Sequence, residues 1–277
     1  MRTPDDKQIY TAGYSPTAIQ SRARRNAAEN AGFFLPHLRA GMHVLDCGCG
    51  PGSITIGLAE DVPPGEVVGI DIEPSQIDLA RTQAVQRGCT NVRFEVGNVL
   101  HLPYPEATFD AVFGHTILMQ FQDPLPVVAE VCRVVKPGGV VGFREPACDR
   151  NLYEPLEGAY QQYFALFMRV LQYNGSNPLV GHRLGALLSR AGLERVTMSA
   201  SYEGRGTPEE KQERYDRMAR RCQEDRWMEQ AIALGWISRD ARDRLSAAWH
   251  GEGADPEAFS AFACCEVVGW KAGHTTA

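Results

Sequence analysis

The chain has 277 residues, 44% of them hydrophobic, and a formal net charge of −6. This length allows a full hydrophobic core, and the acidic balance excludes a general electrostatic attraction to nucleic acid. The sequence has no apolar run of the roughly 18 residues that a membrane-spanning helix needs. It also has no basic start followed by an apolar stretch, which would indicate a signal peptide. We therefore expect a cytoplasmic protein without membrane or nucleic-acid partners.

Helical and extended patterns alternate through the first half of the chain. Residues 18–38 have helical composition, and Pro36 marks the end of a helix or a kink in it. From residue 43 to residue 145, strand patterns alternate with helical ones. This alternation predicts a parallel sheet flanked by helices.

Residues 44–52 contain the first predicted strand and a glycine-rich turn, and they are the most informative segment of the chain. Gly48, Gly50 and Gly52 allow a sharp turn and let a ligand approach the backbone without a Cβ in the way. The N–H groups at the start of the next helix favour an anionic group. A dinucleotide fingerprint would place its third glycine at the position of Ser53, so the spacing does not favour a nicotinamide cofactor.

The next two predicted strands also end in polar residues. Asp71 closes the second strand about 20 residues past the glycines, where βαβ nucleotide folds place a ribose-binding carboxylate. Ile72 follows and can cover one face of an adenine. Residues 73–80 form a helix with proline near its first turn, and residues 91–99 form a third strand that ends in Asn98.

The second half of the chain contains two predicted helical insertions. In the first, an apolar stripe recurs at helical spacing, and its members are Leu156, Tyr160, Phe164, Phe167 and Leu171. In the second, Thr207 caps a surface helix and Ser238 caps another, which carries Leu245, Ala248 and Trp249. The expected organisation begins with an N-terminal helical cap segment (1–40). A core (41–202) follows and includes the first insertion (146–180). The second insertion (203–260) and a final strand with a tail (261–277) complete the chain.

Several segments in this order resemble the motifs of one enzyme family. The glycine turn is followed by residues 102–113, 131–140 and 183–193, and together they resemble class I S-adenosylmethionine-dependent methyltransferases of the ubiquinone/menaquinone-biosynthesis-like branch, methyltransferase type 11. The resemblance implies an α/β fold with a seven-stranded, mostly parallel Rossmann-like sheet and helices on both faces. It also implies an antiparallel last strand and helical insertions after strands 5 and 6.

The same resemblance implies a cofactor and its ligands. S-adenosylmethionine would bind with its methionine on the glycine turn and its ribose on Asp71, and S-adenosylhomocysteine would be the product. Asn98 stands where the family usually has aspartate; its amide oxygen can accept from adenine, and a turn role remains open. The implied cofactor-binding residues are Tyr14, Asp46, Gly48, Cys49, Gly50, Gly52, Asp71, Ile72, Gln76, Asn98, Val99 and His115.

Candidate substrate-pocket residues come from three places in the chain. In relatives the N-terminal segment lies over the cofactor, so Tyr10 and Tyr14 are candidates, with aromatic packing as the alternative. The insertion after strand 5 often forms the roof of the pocket in this family, which adds Tyr160 and Phe164. Glu145 and Arg144 end the fifth strand and can reach substrate, while loop or surface roles stay open for both.

His115 is the candidate general base, because it follows the fourth strand at the cofactor-facing edge and an imidazole suits proton removal near neutral pH. The alternative is a histidine that only contacts the cofactor. The eight cysteines show no C-x-x-C spacing, so no metal is expected and the thiols are interpreted as reduced. A redox role for Cys47 and Cys49 is a minor alternative.

The predicted function is in-line methyl transfer from S-adenosylmethionine to an oxygen, nitrogen or carbon of a small molecule. Three alternatives remain. The first is a methyltransferase that acts on RNA or protein. The second is a protein that binds the cofactor without methylating, as a cyclase or regulatory protein does. A nicotinamide dehydrogenase ranks last because the third dinucleotide glycine is missing. A homodimer remains an open option.

Overall fold

The computed structural model describes residues 10–204 and 207–273. Within these residues the chain forms ten α-helices, eight strands and three short 3₁₀ turns. The strands are β1 (Val44–Cys47), β2 (Val67–Asp71), β3 (Val92–Val96), β4 (Phe109–His115), β5 (Val135–Pro146), β6 (Leu152–Glu154), β7 (Leu193–Glu203) and β8 (Phe259–Lys271). The helices are α1 (Pro16–Ala23), α2 (Ala27–Asn30), α3 (Ser53–Ala59), α4 (Pro74–Gln86), α5 (Leu125–Val134), α6 (Ala159–Tyr173), α7 (Leu184–Arg190), α8 (Pro208–Glu224), α9 (Arg226–Ala233) and α10 (Arg239–Ala254).

The described residues divide into two compact units. We call the first the sheet unit; it consists of Ser21–Pro146, Leu179–Ser201 and the chain from Cys264 onward. We call the second the helical unit; it consists of the chain up to Gln20, Ala147–Pro178 and Tyr202–Ala263. The predicted N-terminal segment of residues 1–40 therefore divides at Gln20, and most of both predicted insertions falls in the helical unit.

The sheet has the strand order β3-β2-β1-β4-β5-β8, with β7 also paired to β8. The pairs from β3 to β5 are parallel, and β8 runs antiparallel to β5 from the pair Val140 with Trp270 to the pair Pro146 with Cys264. This confirms the predicted mostly parallel sheet with an antiparallel last strand. The short strand β6, paired with the first residues of β8, was not predicted.

Strands β1, β2 and β4 are almost entirely buried, as expected for a parallel sheet covered by helices, whereas β3 and β7 are partly exposed. All four residues of β1 are buried. On one side Phe34 packs against Phe113 with ring centroids 5.4 Å apart. A second cluster joins Ile56 of α3, Ile77 of α4 and Phe94 of β3.

The N-terminal region differs from the single helical stretch expected over residues 18–38. It breaks into α1, α2 and a 3₁₀ turn at Leu35–His37 that contains Pro36. Asn26 has an extended backbone, and its side chain accepts a hydrogen bond from the Glu29 N–H, so a new helix begins there. The local cap at Asn26 therefore divides the single helix that the composition predicted.

The helical unit has an aromatic core. Tyr163 of α6 meets Trp227 of α9 and Trp249 of α10 edge to face, with ring centroids 5.0 and 5.8 Å apart. The predicted caps are confirmed, because Thr207 accepts from the Glu210 N–H and Ser238 from the Ala241 N–H. Three details differ from the prediction: Leu156 precedes α6 and is exposed, Ala248 is exposed, and α9 was not predicted.

Candidate functional site

The carboxyl ends of β1, β2, β3 and β4 lie at one edge of the sheet because these strands run parallel. Open α/β sheets bind ligands in the crevice outside these ends. The candidate residues that follow these strands, from Asp46 to His115, all belong to the sheet unit. The strand topology thus collects residues that are far apart in the chain.

The glycine turn after β1 combines tight packing with open space. A Cβ placed on Gly48 would lie 2.9 Å from the Ile117 side chain, and one on Gly52 would lie 2.7 Å from Ala80 and from Phe94. Gly50 has a φ of +52°, and a Cβ there would meet nothing within 4 Å. The turn therefore packs tightly at its two ends and opens into free space at its centre.

Asp71 connects this turn to the end of β2. Its Oδ2 accepts a hydrogen bond from the Gly50 N–H and its Oδ1 one from the Glu73 N–H, both at 2.9 Å. Burial raises the pKa of this carboxyl, and the two backbone hydrogen bonds partly offset the rise. An ionised carboxylate has about four acceptor positions, so both oxygens can still accept from a ligand hydroxyl.

Asp46 is a buried carboxyl beneath the turn. The Thr55 hydroxyl of α3 donates to its Oδ2 at 2.6 Å, which ties the end of β1 to the following helix. Burial raises the pKa of Asp46 to about 7, the Thr55 hydrogen bond opposes the rise, and the nearby Asp71 adds to it. Burial also raises the pKa values of the Cys47 and Cys49 thiols, so neither is a thiolate at neutral pH.

The residues around the ends of β2 and β3 include an unsatisfied amide and an exposed apolar side chain. Gln76 is 1% exposed, and neither its side-chain oxygen nor its nitrogen has a hydrogen-bond partner. Ile72 is 60% exposed, whereas Val99 is buried. The Asn98 Oδ1 accepts from the Leu100 N–H at 3.0 Å, an Asx-turn contact that leaves a second lone pair.

These features fit the groups of S-adenosylmethionine that the sequence predicts. Gly50 leaves room at the backbone, Asp71 retains acceptor positions for ribose hydroxyls, and Ile72 offers an apolar surface. A buried amide without a partner costs free energy, and a bound ligand would supply the partner that Gln76 lacks. The residues present are therefore suited to hold this cofactor.

The loop after β4 is held by a buried carboxylate. Glu145 of β5 is fully buried, and its Oε1 accepts from the N–H groups of Ile117 and Leu118 at 2.8 and 2.7 Å. Its Oε2 accepts from the Met119 N–H at 3.2 Å. Burial raises the pKa of Glu145 to about 7 despite these three hydrogen bonds. The structure thus places this residue, a candidate for substrate contact, inside the sheet unit as the anchor of a loop.

His115 ends β4 in a buried polar cluster. Its Nε2 lies 3.0 Å from the Arg144 Nη1 and 3.4 Å from the Asn30 Nδ2, and its Nδ1 lies 2.6 Å from the Thr116 Oγ1. Burial, together with the positive charges of Arg25 and Arg144, holds the pKa of His115 well below its ordinary value. Thr116 has a φ of +59°, a conformation that is costly for a β-branched residue.

The remaining candidates, Tyr10, Tyr14, Tyr160 and Phe164, belong to the helical unit. The rings of Tyr10 and Tyr14 lie 5.1 Å apart. Tyr160 stacks on Phe164 with centroids 4.5 Å apart and on Tyr153 with centroids 5.1 Å apart. The structure brings each aromatic pair together within this unit.

Sequence reasoning did not identify Asn30, Thr116 or Glu266 as parts of the polar cluster. None of them lies in a recognisable motif, and Asn30 and Glu266 are far from His115 in the chain. An ionisable residue within an apolar strand pattern, such as Glu266 in β8, was the available signal. In the described part of the chain, no group of three or more His, Cys, Asp or Glu residues is arranged to hold a metal ion. No helix formed by residues 10–204 or 207–273 is long and apolar enough to cross a bilayer.

Comparison with known proteins gives a consistent set of relatives. Residues 38–221 match the family described as methyltransferase domain. The chain is 32% identical to an uncharacterized methyltransferase of Schizosaccharomyces pombe over 211 residues, 73% of this chain and 75% of the relative. It is 35% identical to the demethylmenaquinone methyltransferase of Lactobacillus johnsonii, over 50% of this chain and 57% of the relative. The YcgJ protein of Bacillus subtilis has the same fold, with a TM-score of 0.59, 21% identity and coverage of 88% of this chain and 99% of its own.

Proposed function

Because this chain belongs to the methyltransferase domain family, whose methyl donor is S-adenosylmethionine, we propose that its methyl acceptor is a small molecule. The observation that carries the cofactor assignment is the hydrogen bond from the Gly50 N–H to Asp71, which joins the glycine turn to the ribose-binding position. The net charge of −6 supports a small acceptor over RNA. The name of the Lactobacillus johnsonii relative, demethylmenaquinone methyltransferase, also specifies a small-molecule acceptor.

Each residue at the strand ends has a proposed task. The turn from Gly48 to Gly52 receives the methionine part of the cofactor, Asp71 accepts from the ribose hydroxyls, and Asn98 with Val99 meets the adenine. When bound, the cofactor supplies an activated methyl group. The chain contributes alignment of the two reactants and exclusion of water, which together account for roughly 7–11 kcal/mol in well-oriented reactions.

Four aromatic residues are the proposed acceptor contacts, as the family resemblance implies. Tyr10, Tyr14, Tyr160 and Phe164 offer flat apolar surface with a polar tip on each tyrosine. Ligand pockets are mostly apolar and aromatic with a few polar groups, so these residues suit a small organic acceptor. The cytoplasmic location and the homodimer stay predictions.

Two measurements test this function. Calorimetry compares the binding of S-adenosylhomocysteine with that of NAD, and we expect binding of the first only. The protein is then incubated with S-adenosylmethionine carrying a labelled methyl group and, separately, with a small-molecule extract, RNA and a protein fraction. We expect label in the small-molecule extract. Label in RNA or protein alone would contradict the proposed acceptor class, and preferential NAD binding would contradict the cofactor.

A further inference from the structure

A buried ion pair stands behind His115 in the sheet unit. Arg144 of β5 is 1% exposed, and its Nε donates to the Glu266 Oε1 of β8 at 3.3 Å. Glu266 also accepts from the hydroxyls of Ser199 and Ser201, at 2.7 and 2.5 Å. Buried charges persist only when they are paired and hydrogen-bonded. Glu266 therefore compensates the guanidinium and fixes where it lies.

The guanidinium determines which nitrogen of His115 carries the proton. Arginine has five N–H donors and no acceptor, so the Arg144 Nη1 can only donate to the His115 Nε2. The Asn30 amide also donates to this nitrogen, since its oxygen is already used by the Asn26 N–H at 3.1 Å. Nε2 is therefore an acceptor without a proton. The neutral ring then carries its proton on Nδ1 and donates it to the Thr116 Oγ1.

The charges around His115 keep the ring neutral. The cations that face it are Arg25, from the N-terminal region, and Arg144 of β5, and both lower the pKa of the imidazole, as burial does. Glu266 lies behind Arg144 and pairs with it. Protonating Nε2 would place a second cation 3.0 Å from the guanidinium and break its hydrogen bond. The usual proton-accepting lone pair of His115 is thus already occupied.

We propose that Arg144, compensated by Glu266, is a positioning residue of the methyl-transfer site that holds His115 as a neutral imidazole with its proton on Nδ1. The ring consequently does not serve as the general base, and it adds no positive charge to a crevice that takes up a sulfonium cation. Its Nδ1–H contacts Thr116, the residue that turns β4 into the loop whose Ile117 side chain packs on Gly48. This inference rests on the proposed function for the identity of the site, and its central claim is a protonation state that can be measured without substrate.

Nuclear magnetic resonance of the protein with ¹⁵N-labelled histidine rings tests this inference. The His115 signals are assigned by their loss in the His115→Gln variant and followed between about pH 5 and about pH 8, where an unperturbed imidazole titrates. In the parent protein we expect the Nδ1–H form throughout, with no titration. In the double variant Arg144→Met/Glu266→Gln, which removes both charges together, burial and Arg25 still lower the pKa of the ring. We therefore expect loss of the single Nδ1–H tautomer, because Nε2 no longer has the guanidinium as its donor.

The matched control removes an exposed ion pair of the same type, in the double variant Arg239→Met/Glu229→Gln. It should leave the His115 signals unchanged. A parent ring that titrates in this range or carries its proton on Nε2 would overturn the proposal, and so would a double variant whose ring behaves as in the parent. Should the double variant not fold, the parent protein alone decides. In a sample labelled with ¹⁵N at both arginine and histidine, we expect a scalar coupling across the Arg144 Nη1–H···Nε2 hydrogen bond, and its absence contradicts the proposal.

S-adenosylhomocysteine calorimetry separates this result from the proposed function. A parent protein that does not bind S-adenosylhomocysteine contradicts the proposed function, whereas the histidine spectra still decide the role of Arg144. In the folded double variant we expect affinity to fall about tenfold, because the loop that packs on Gly48 loses the fixed His115 ring that contacts Thr116. The exposed control pair should leave this affinity unchanged.

Discussion

At the scale of single residues, the site depends on side chains that form hydrogen bonds within the protein and still have donor or acceptor positions left for a ligand. Asp71 accepts one backbone hydrogen bond on each oxygen and still has two acceptor positions. Gln76 is buried without a partner. His115 is the opposite case, because both of its nitrogens already have partners. Residue type alone therefore does not identify which groups are available to a ligand.

We expect Asp71→Asn to weaken S-adenosylhomocysteine binding by roughly 10- to 100-fold, measured by calorimetry. The substitution removes the charge from hydrogen bonds worth about 1.5–3 kcal/mol and replaces one acceptor oxygen with an amide. The matched control is Asp78→Asn, which changes an exposed carboxylate in α4, the helix that follows β2. Equal affinity in folded Asp71→Asn and parent protein would refute the ribose role.

At the scale of elements, short loops carry the site and long-range contacts hold them. The turn after β1 is held by Asp71 from the next strand, and the loop after β4 is held by Glu145 from β5. Because a carboxylate can accept several backbone N–H groups at once, one buried residue orders a whole turn. Such loops on a rigid sheet are the usual place of binding residues.

For the glycine turn, we expect Gly50→Ala to abolish most cofactor affinity while the protein stays folded. Gly50 has a positive φ and open space beside it, so the added methyl group strains the backbone and projects into the proposed ligand space. Gly88→Ala is the control, since Gly88 has a φ of +64° and open space but lies at the exposed end of α4.

Both alanine variants should lose a similar stability, about 1–2 kcal/mol for the left-handed conformation, in urea unfolding. Only Gly50→Ala should lose affinity in S-adenosylhomocysteine calorimetry. Retained affinity in this variant would show that the space beside the turn is not used by the ligand.

For the loop after β4, we expect Glu145→Gln to lower the free energy of unfolding by about 1–3 kcal/mol, because a buried backbone donor loses its acceptor. The measurement is urea unfolding, with the exposed Glu60→Gln as the control. The effect should depend on pH. Burial raises the pKa of Glu145 from 4.5 to about 7, so the folded state binds the proton more tightly than the unfolded state.

The stabilisation linked to that proton is therefore fully present below about pH 4.5 and is lost as the pH rises through about 7. The stability difference between the parent protein and Glu145→Gln should narrow over this window and stay constant above it. A difference that widens with pH would show that the carboxyl is held in its charged form, with a lowered pKa.

At the scale of the whole molecule, ligand binding and folding are linked. A ligand that binds only the folded state raises stability by about 2.7 kcal/mol at a concentration one hundred times its Kd. We expect S-adenosylhomocysteine to raise the unfolding midpoint of the parent chain accordingly, and NAD to have no effect. A shift with NAD and none with S-adenosylhomocysteine would contradict the family's cofactor as the ligand of this chain.

Much of the architecture was predictable because its signals are local. Alternating strand and helix patterns indicated the parallel sheet, and the caps at Thr207 and Ser238 marked helix starts within a few residues. The elements that were predicted wrongly or missed also have local causes. A cap at Asn26 divided a stretch of uniform helical composition, and strand β6 is only three residues long. Short elements contain too few residues for a periodic pattern.

The amino-acid sequence by itself determined the glycine turn, the acidic residue that closes β2 and the alternation of strands and helices along the chain, because backbone conformation and burial periodicity act over a few residues. Only the tertiary structure decided that Glu145 anchors a loop and that His115 is a neutral acceptor of hydrogen bonds. His115 meets Asn30 from 85 residues away and Arg144 from 29 residues away, and Arg144 meets Glu266 from 122 residues away. The protonation of a buried group depends on every charge and donor around it, and folding alone brings these groups together.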